Sequence, residues 1–211
     1  MCAEDRQRCF LDSSLPSLPE LRFSMIHNGK EYRNSILSGK VVTGLREALE
    51  DRYKYSTTWK LLFSTFEDGF SYRTFLESFE EDGWPFVLAC KTREGELLGA
   101  FFEDRIRISR AVYGKPSTFL FTTAKNKAVQ PEDISTDNEL MIFTMSKNKE
   151  ANIYCCPDFL AFGCSGEKFG LLINKSLLDG ETYPIETFGN HPLASKSHFR
   201  ISYIELWLIQ I

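Results

Sequence analysis

Four patterns are missing from this 211-residue chain, and each absence removes a class of function. No apolar run approaches the ~20 residues that a helix needs to cross a bilayer. Residues 1–8 are charged and have no apolar centre, so no secretory leader is expected and the protein is placed in the cytoplasm or nucleus. The six cysteines, Cys2, Cys9, Cys90, Cys155, Cys156 and Cys164, form no Cys-x-x-Cys pair, and the three histidines form no His-x-x-x-His or His-Glu-x-x-His pair. Zinc binding and dithiol exchange are therefore not expected, and the cysteines read as reduced, small apolar side chains. Basic residues are not in excess: 25 Lys and Arg face 29 Asp and Glu, a net charge of −4. A general nucleic-acid binder needs a basic face. The clearest basic cluster, Arg105, Arg107 and Arg110, alternates with Ile106 and Ile108, the pattern of one solvated strand face.

What remains is rich in core material. The chain is 43% hydrophobic and holds 18 phenylalanines, enough to bury one sizeable core, and its length suits a single domain. Residues 1–20, with Pro16 and Pro19, read as a polar tail. Residues 21–34 read as a hairpin, because Phe23, Met25 and His27 alternate and Asn28-Gly29 suits a type I′ turn. Such a hairpin is marginal alone and must dock on something. Val41, Val42, Leu45 and Leu49 then form a helical stripe, with Arg46, Glu47 and Glu50 assigned to the solvent side. Trp59, Leu61 and Phe63 alternate as a strand. Asp68-Gly69 makes a turn and Ser71 caps a second helix, in which Tyr72, Phe75, Leu76 and Phe79 share one face.

After Pro85 the pattern is strand and turn. Apolar runs occur at 86–90, 97–102, 119–122, 140–145, 153–155, 159–162, 171–173 and 199–207, and 125–138 reads as a loop. Helices precede most strands instead of alternating with them, which excludes a parallel βαβ sheet. The expected fold is α+β but mainly β, a two-sheet antiparallel β-sandwich with flanking helices. The expected division is a lead at 1–37 and a domain at 38–211.

Reactive groups are sparse. Cys164 lies in Gly163-Cys164-Ser165-Gly166, where backbone amides favour a thiolate and Glu167 opposes one. It is the single candidate nucleophile, and the small residues of that loop are equally explained by the turn itself. Glu205 interrupts Ile204 and Leu206-Trp207, so it needs partners inside the fold. A tie to a backbone amide or an arginine fits better than a general base, for which no second group is present. His191, between Asn190 and Pro192, sits in a turn where solvation is the ordinary fate. Neither composition nor spacing points to a cofactor or a metal.

Several ordered blocks together resemble the TLDc domain of the oxidation-resistance family. They are residues 59–65 followed by Asp68-Gly69-Phe70-Ser71, then Val87-Leu88, Gly95-x-x-x-Gly99-Ala100-Phe101 and Tyr113-Gly114. The closing set is Phe169-Gly170-Leu171, Glu186-Thr187-Phe188-Gly189-Asn190, Leu193 and Glu205-Leu206-Trp207. The resemblance spans roughly residues 38–209. Departures fall in the loop before Phe169, where only Gly163 and Gly166 stand for a longer glycine run. Leu172 and Pro116 also replace a common tryptophan and glycine. The resemblance implies Asp68, Gly69, Ser71, Gly114, Phe169, Gly170, Glu186, Phe188, Gly189, Asn190, Glu205 and Trp207 as motif residues, mainly structural. It further implies a non-enzymatic role in oxidative-stress resistance. The implied partner is the V-ATPase, through its soluble catalytic sector and peripheral stalk, with recruitment to endomembranes through that pump and no membrane insertion. The alternative is a cysteine-based antioxidant using Cys164 or the Cys155-Cys156 pair.

Overall fold

A computed structural model describes residues 23–81, 83–124, 139–146 and 152–211. The expected tail with Cys2 and Cys9, the loop expected at 125–138, and the first two residues of the expected hairpin lie outside the described residues.

The chain opens with the hairpin β1 (Ser24–His27) and β2 (Lys30–Glu31), closed by Asn28 and Gly29 at φ 50° and 74°. Both positive φ values are what a type I′ turn requires. Next come α1 (Gly39–Ala48), α2 (Asp51–Lys54), β3 (Thr58–Ser64), α3 (Thr65–Asp68) and α4 (Tyr72–Glu77), the last extended by a 3-10 turn at Ser78–Glu80. Nine further strands follow among the described residues. They are β4 (Phe86–Thr92), β5 (Leu97–Phe102), β6 (Phe119–Thr122), β7 (Met141–Thr144), β8 (Ile153–Cys155), β9 (Phe159–Ser165), β10 (Lys168–Asn174), β11 (Asp179–Glu181) and β12 (His198–Gln210).

One sheet runs β7-β6-β5-β4-β12-β3-β1-β2 and the other β12-β11-β10-β9-β8, so the long β12 belongs to both. Its first residues, His198 to Arg200, pair with β11, and the segment from Ile201 onward pairs with β4 and then β3. The sandwich is therefore a single folded sheet hinged on its last strand. Pairing is antiparallel except where β1 lies parallel to β3, which gives the hairpin its docking site.

The sequence pattern explains the layers. Strands β4 and β5 are buried on both faces and read as unbroken apolar runs. Phe86, Leu88, Cys90, Leu98, Ala100 and Phe102 point into the core between the sheets, where Leu160, Phe162, Leu171 and Ile173 meet them from the other side. Val87, Ala89, Leu97 and Phe101 point outward onto Val41, Val42, Leu45, Leu49 and Tyr53 of the helical layer. Phe75 and Phe79, both fully buried, close one opening of the sandwich with edge-on contacts to Phe63 and Phe86. Ser71 accepts from the Thr74 amide at 3.2 Å, the cap that starts α4.

Three local expectations differ. Arg46 is buried, not solvated: its guanidinium donates to the Ser56 carbonyl at 3.2 Å and lies 5.0 Å over the Phe23 ring. The alternation in β3 inverts, because Leu206 pairs with Phe63 while Trp207 pairs with Leu61, one extra residue on β3. That bulge sends Trp59 and Leu61 to the helical layer and Phe63 to the inter-sheet core. Residues 105–110 form no strand, and only Ile106 is buried there. The short β11 gave no periodic signal because three residues, one of them glycine, carry none.

Candidate functional site

The motif residues assemble in two places. The first is built where β3 and β12 run side by side, with Glu205 opposite Ser64. The Glu205 carboxylate is 2% exposed, and three donors converge on it. The Ser35 hydroxyl donates at 2.7 Å, the Ile36 amide at 2.9 Å and the Trp207 indole at 3.0 Å. Burial pushes this carboxyl above its ordinary range, and the three hydrogen bonds hold it partly back. The tie to a backbone amide is present, and no arginine takes part among the described residues. Around it, Asp68 accepts from the Ser64 amide at 2.8 Å, and the Thr65 hydroxyl accepts from the Ile204 amide at 3.0 Å. Gly69 ends α3 at φ 74° and leads to Ser71. Tyr32 packs edge-on against Trp207 at 5.9 Å, and burial raises its phenol. The result is a latch that ties the segment between the hairpin and α1 to the last strand.

The second assembly lies against β9 and β10. Phe188 is buried, Gly189 turns the chain at φ 58°, and the Asn190 amide donates to the Tyr183 and His191 carbonyls at 2.9 and 2.8 Å. Gly163 has φ 68°, and a Cβ there would overlap Ile185 and press on Phe188. Gly170 sits equally close to Leu120 and Ile185, while Phe169 stacks beside Phe159. Thr182 connects the parts: its hydroxyl donates to the Gly170 carbonyl at 2.7 Å and accepts from the Leu193 amide at 2.9 Å. The Leu193 carbonyl accepts from Thr122 at 2.5 Å, which crosses to the other sheet. Glu186 is exposed, and among the described residues its carbonyl accepts from the Ser146 hydroxyl at 3.4 Å. Gly114 stands apart from both assemblies, beside Asn152 and Ile153.

Ser35, Tyr32 and Thr182 carry these networks without belonging to any expected motif. A hydroxyl or phenol in a polar segment has no periodic signature, so only its partners reveal it.

Three of the thiols, those of Cys90, Cys155 and Cys164, are poorly placed for chemistry. Cys164, on β9, has its pKa pushed up to about 11 by burial, and Glu167 plays no part in that shift. Cys155 is raised chiefly by burial and faces the Tyr72 hydroxyl at 3.6 Å. Cys90 is fully buried and raised further still. Reactivity follows the thiolate, so each of these shifts suppresses it at neutral pH. His191 is not simply solvated either: it packs edge-on at 5.0 Å from Phe143, and its Nδ1 lies 2.6 Å from the Pro192 carbonyl.

Two of the clefts on the surface of the described residues stand out. One of about 170 Å³ runs between β10, β11 and β12 beside Asp179, Glu181, His198 and Arg200. The other, of about 370 Å³, lies at the end of β12 beside Trp84, Leu208 and Ile211. Neither touches the motif assemblies or Cys164. Among the described residues no group of three or more His, Cys, Asp and Glu side chains is arranged to hold a metal, and no helix is long and apolar enough to cross a membrane.

Comparison with known proteins gives a family model, the TLDc domain, that matches residues 30–210. A protein named Oxidation resistance protein 1 from Yarrowia lipolytica is 26% identical over 203 residues, covering 92% of this chain and 82% of the relative. The protein of the same name from Kluyveromyces lactis is 27% identical over 212 residues, covering 94% and 83%. The Homo sapiens protein of that name is 28% identical over 152 residues, which are 72% of this chain but 16% of the human protein.

Proposed function

The chain belongs to the TLDc domain family, and from that premise we propose that it is a non-enzymatic regulator linked to oxidative-stress resistance, working by binding the V-ATPase. The family match over residues 30–210, with relatives named for oxidation resistance, carries this reading. The proposed partner surface belongs to the soluble catalytic sector and peripheral stalk of the pump, and the protein reaches endomembranes through that contact. Three features support binding over catalysis. Most of the motif residues, Glu186 and Gly114 apart, hold the two sheets and the latch together. Burial raises the Cys155 and Cys164 thiols above the ordinary cysteine range, which disfavours their thiolates. Neither of the two clefts described is lined by a cysteine beside a base.

A module of this kind acts through its differential affinity for two states of its target. If it binds the detached sector more tightly than the assembled pump, it shifts assembly by that difference in free energy. The test is affinity purification of the tagged full chain from unstressed cells, followed by mass spectrometry. Near-stoichiometric recovery of pump subunits is expected. Their absence, with the tag accessible and the bait folded, removes the pump from the proposal. In parallel, cells lacking the protein should be hypersensitive to peroxide, and a chain with Cys155, Cys156 and Cys164 all changed to Ser should still rescue them. Loss of rescue with the fold intact would restore the cysteine-based reading.

A further inference from the structure

The connection between β5 and β6 is a charged feature that neither the latch nor the sandwich core explains. From Arg105 to Thr118 it holds four cations, Arg105, Arg107, Arg110 and Lys115, and no acid, in a chain whose net charge is −4. The remainder of the chain therefore carries −8. Ile108 and Val112, 57% and 39% exposed, stand among these cations.

The segment is braced against the body. Ile106 is anchored in the inter-sheet core, and the Ser109 amide donates to the Cys155 carbonyl at 3.0 Å. The Tyr113 hydroxyl accepts from the Arg107 amide at 2.9 Å and donates to the Arg107 carbonyl at 3.0 Å. Tyr113 itself bridges to Ile153 on β8. The Arg107 guanidinium lies over the Tyr113 ring, 4.4 Å from its centroid, which orients it. Two acids open the connection: Glu103 is buried and binds Arg52 at 2.6 Å, with Lys115 at 3.5 Å, and Asp104 is half-buried beside Arg105. Arg105 reaches the Glu81 carbonyl.

We infer that this braced loop, with Arg107 and Arg110 flanking Ile108, is a docking surface for an acidic, partly apolar segment of another protein. Charge complementarity selects the sign of the partner. The exposed aliphatic residues between arginines match the centre-and-rim pattern of interfaces, in which Arg is enriched. Bracing lowers the ordering cost of binding. An acidic protein segment is favoured over an anionic membrane because a compact partner feels the loop within a Debye length of about 8 Å. An extended anionic surface would also face the −8 of the remaining chain. The inference rests on the reading that this protein acts by binding another protein, but its test uses no pump subunit, so either can fail alone.

The probe is a fluorescent synthetic peptide of repeated Glu-Glu-Leu, titrated with the full chain by anisotropy at low and moderate salt. Binding that weakens with salt is expected. It should fall at least about tenfold in the Arg107→Glu/Arg110→Glu variant, since charge-assisted contacts are the stronger class of hydrogen bond. Ile108→Ser should weaken it severalfold, and Arg73→Glu, which places on α4 the same charge change as Arg110→Glu alone, should leave it unchanged. Arg110→Glu alone gives the same direction without touching the Arg107–Tyr113 stack, and near-ultraviolet circular dichroism verifies the fold of each variant. Two results overturn the inference: no peptide binding, or equal loss in Arg73→Glu. A third does so as well, namely binding to phosphatidylserine-containing vesicles that depends on Arg107 and Arg110 when peptide binding does not.

Discussion

Replacing Glu205 with Ala tests whether the latch holds the start of the fold to its last strand. The substitution removes the shared acceptor of Ser35, Ile36 and Trp207. The Ser35 hydroxyl can rotate toward solvent, but the Trp207 indole is fully buried and the Ile36 amide is fixed by the backbone. Each orphaned buried donor costs about 1–3 kcal/mol. Relief of burying a carboxylate offsets part of that, and a net loss of about 2–4 kcal/mol is expected. For a chain of this size that corresponds to a drop in Tm of about 4–16 °C. Thermal and denaturant unfolding at neutral pH read the loss, and Trp207 fluorescence reports the local change. A double-mutant cycle with Ser35→Ala should give a coupling of at least about 0.5 kcal/mol. The pH dependence has a defined sign. Burial raises the folded-state pKa of Glu205, so between the unfolded carboxylate value, about 4.3, and the higher folded value the native state binds more protons. The contribution of this group to stability is therefore full below that window and lost as pH rises through it. Glu205→Gln should remove that slope. A Glu205→Ala loss under about 1 kcal/mol, or an unchanged pH slope in Glu205→Gln, would refute the latch.

Two further outcomes follow from the same geometry. Cys164, with its thiol pushed up to about 11, should be alkylated at neutral pH more than about tenfold slower than free cysteine, and its rate should keep climbing with pH beyond 9. Mass spectrometry of the labelled peptide reads this, and a rate at or above that of free cysteine contradicts the burial argument. Gly163→Ala should destabilise by about 2 kcal/mol or more, because it combines a left-handed φ of 68° with a Cβ directed at Ile185 and Phe188. Part of the loss should return in the Gly163→Ala/Ile185→Ala pair, and a lone Gly163→Ala variant as stable as the parent would show that the turn is not strained.

Much of the architecture was legible because it is local. Asn28-Gly29 marked its turn, since few residues tolerate two successive positive φ values. The spacing of Tyr72, Phe75, Leu76 and Phe79 marked α4, since a helix repeats every 3.6 residues. Apolar runs marked β4, β5, β6 and β8, because strands covered on both faces carry no polar alternation. Arg46 misled for the reciprocal reason: it occupies the polar side of a stripe, yet Phe23 of the amino-terminal strand region covers it there. Arg105–Arg110 misled because alternation alone describes a braced coil as well as a strand.

The amino-acid order by itself determined the strand-rich class, the helices α1 and α4, the Asn28-Gly29 turn and the family motifs, all of which depend on neighbours within about ten residues, whereas the one-turn helices α2 and α3 carry too few residues for a periodic signal. The tertiary structure alone decided what those motifs do. Ser35 meets Glu205 across 170 positions, and Thr122 meets Leu193 across 71. It also decided that burial raises the Cys164 thiol, and that Tyr113 braces the segment carrying Arg107 and Arg110 between β5 and β6. Desolvation and long-range hydrogen bonding belong to the packed chain, and no local pattern encodes which distant group will supply them.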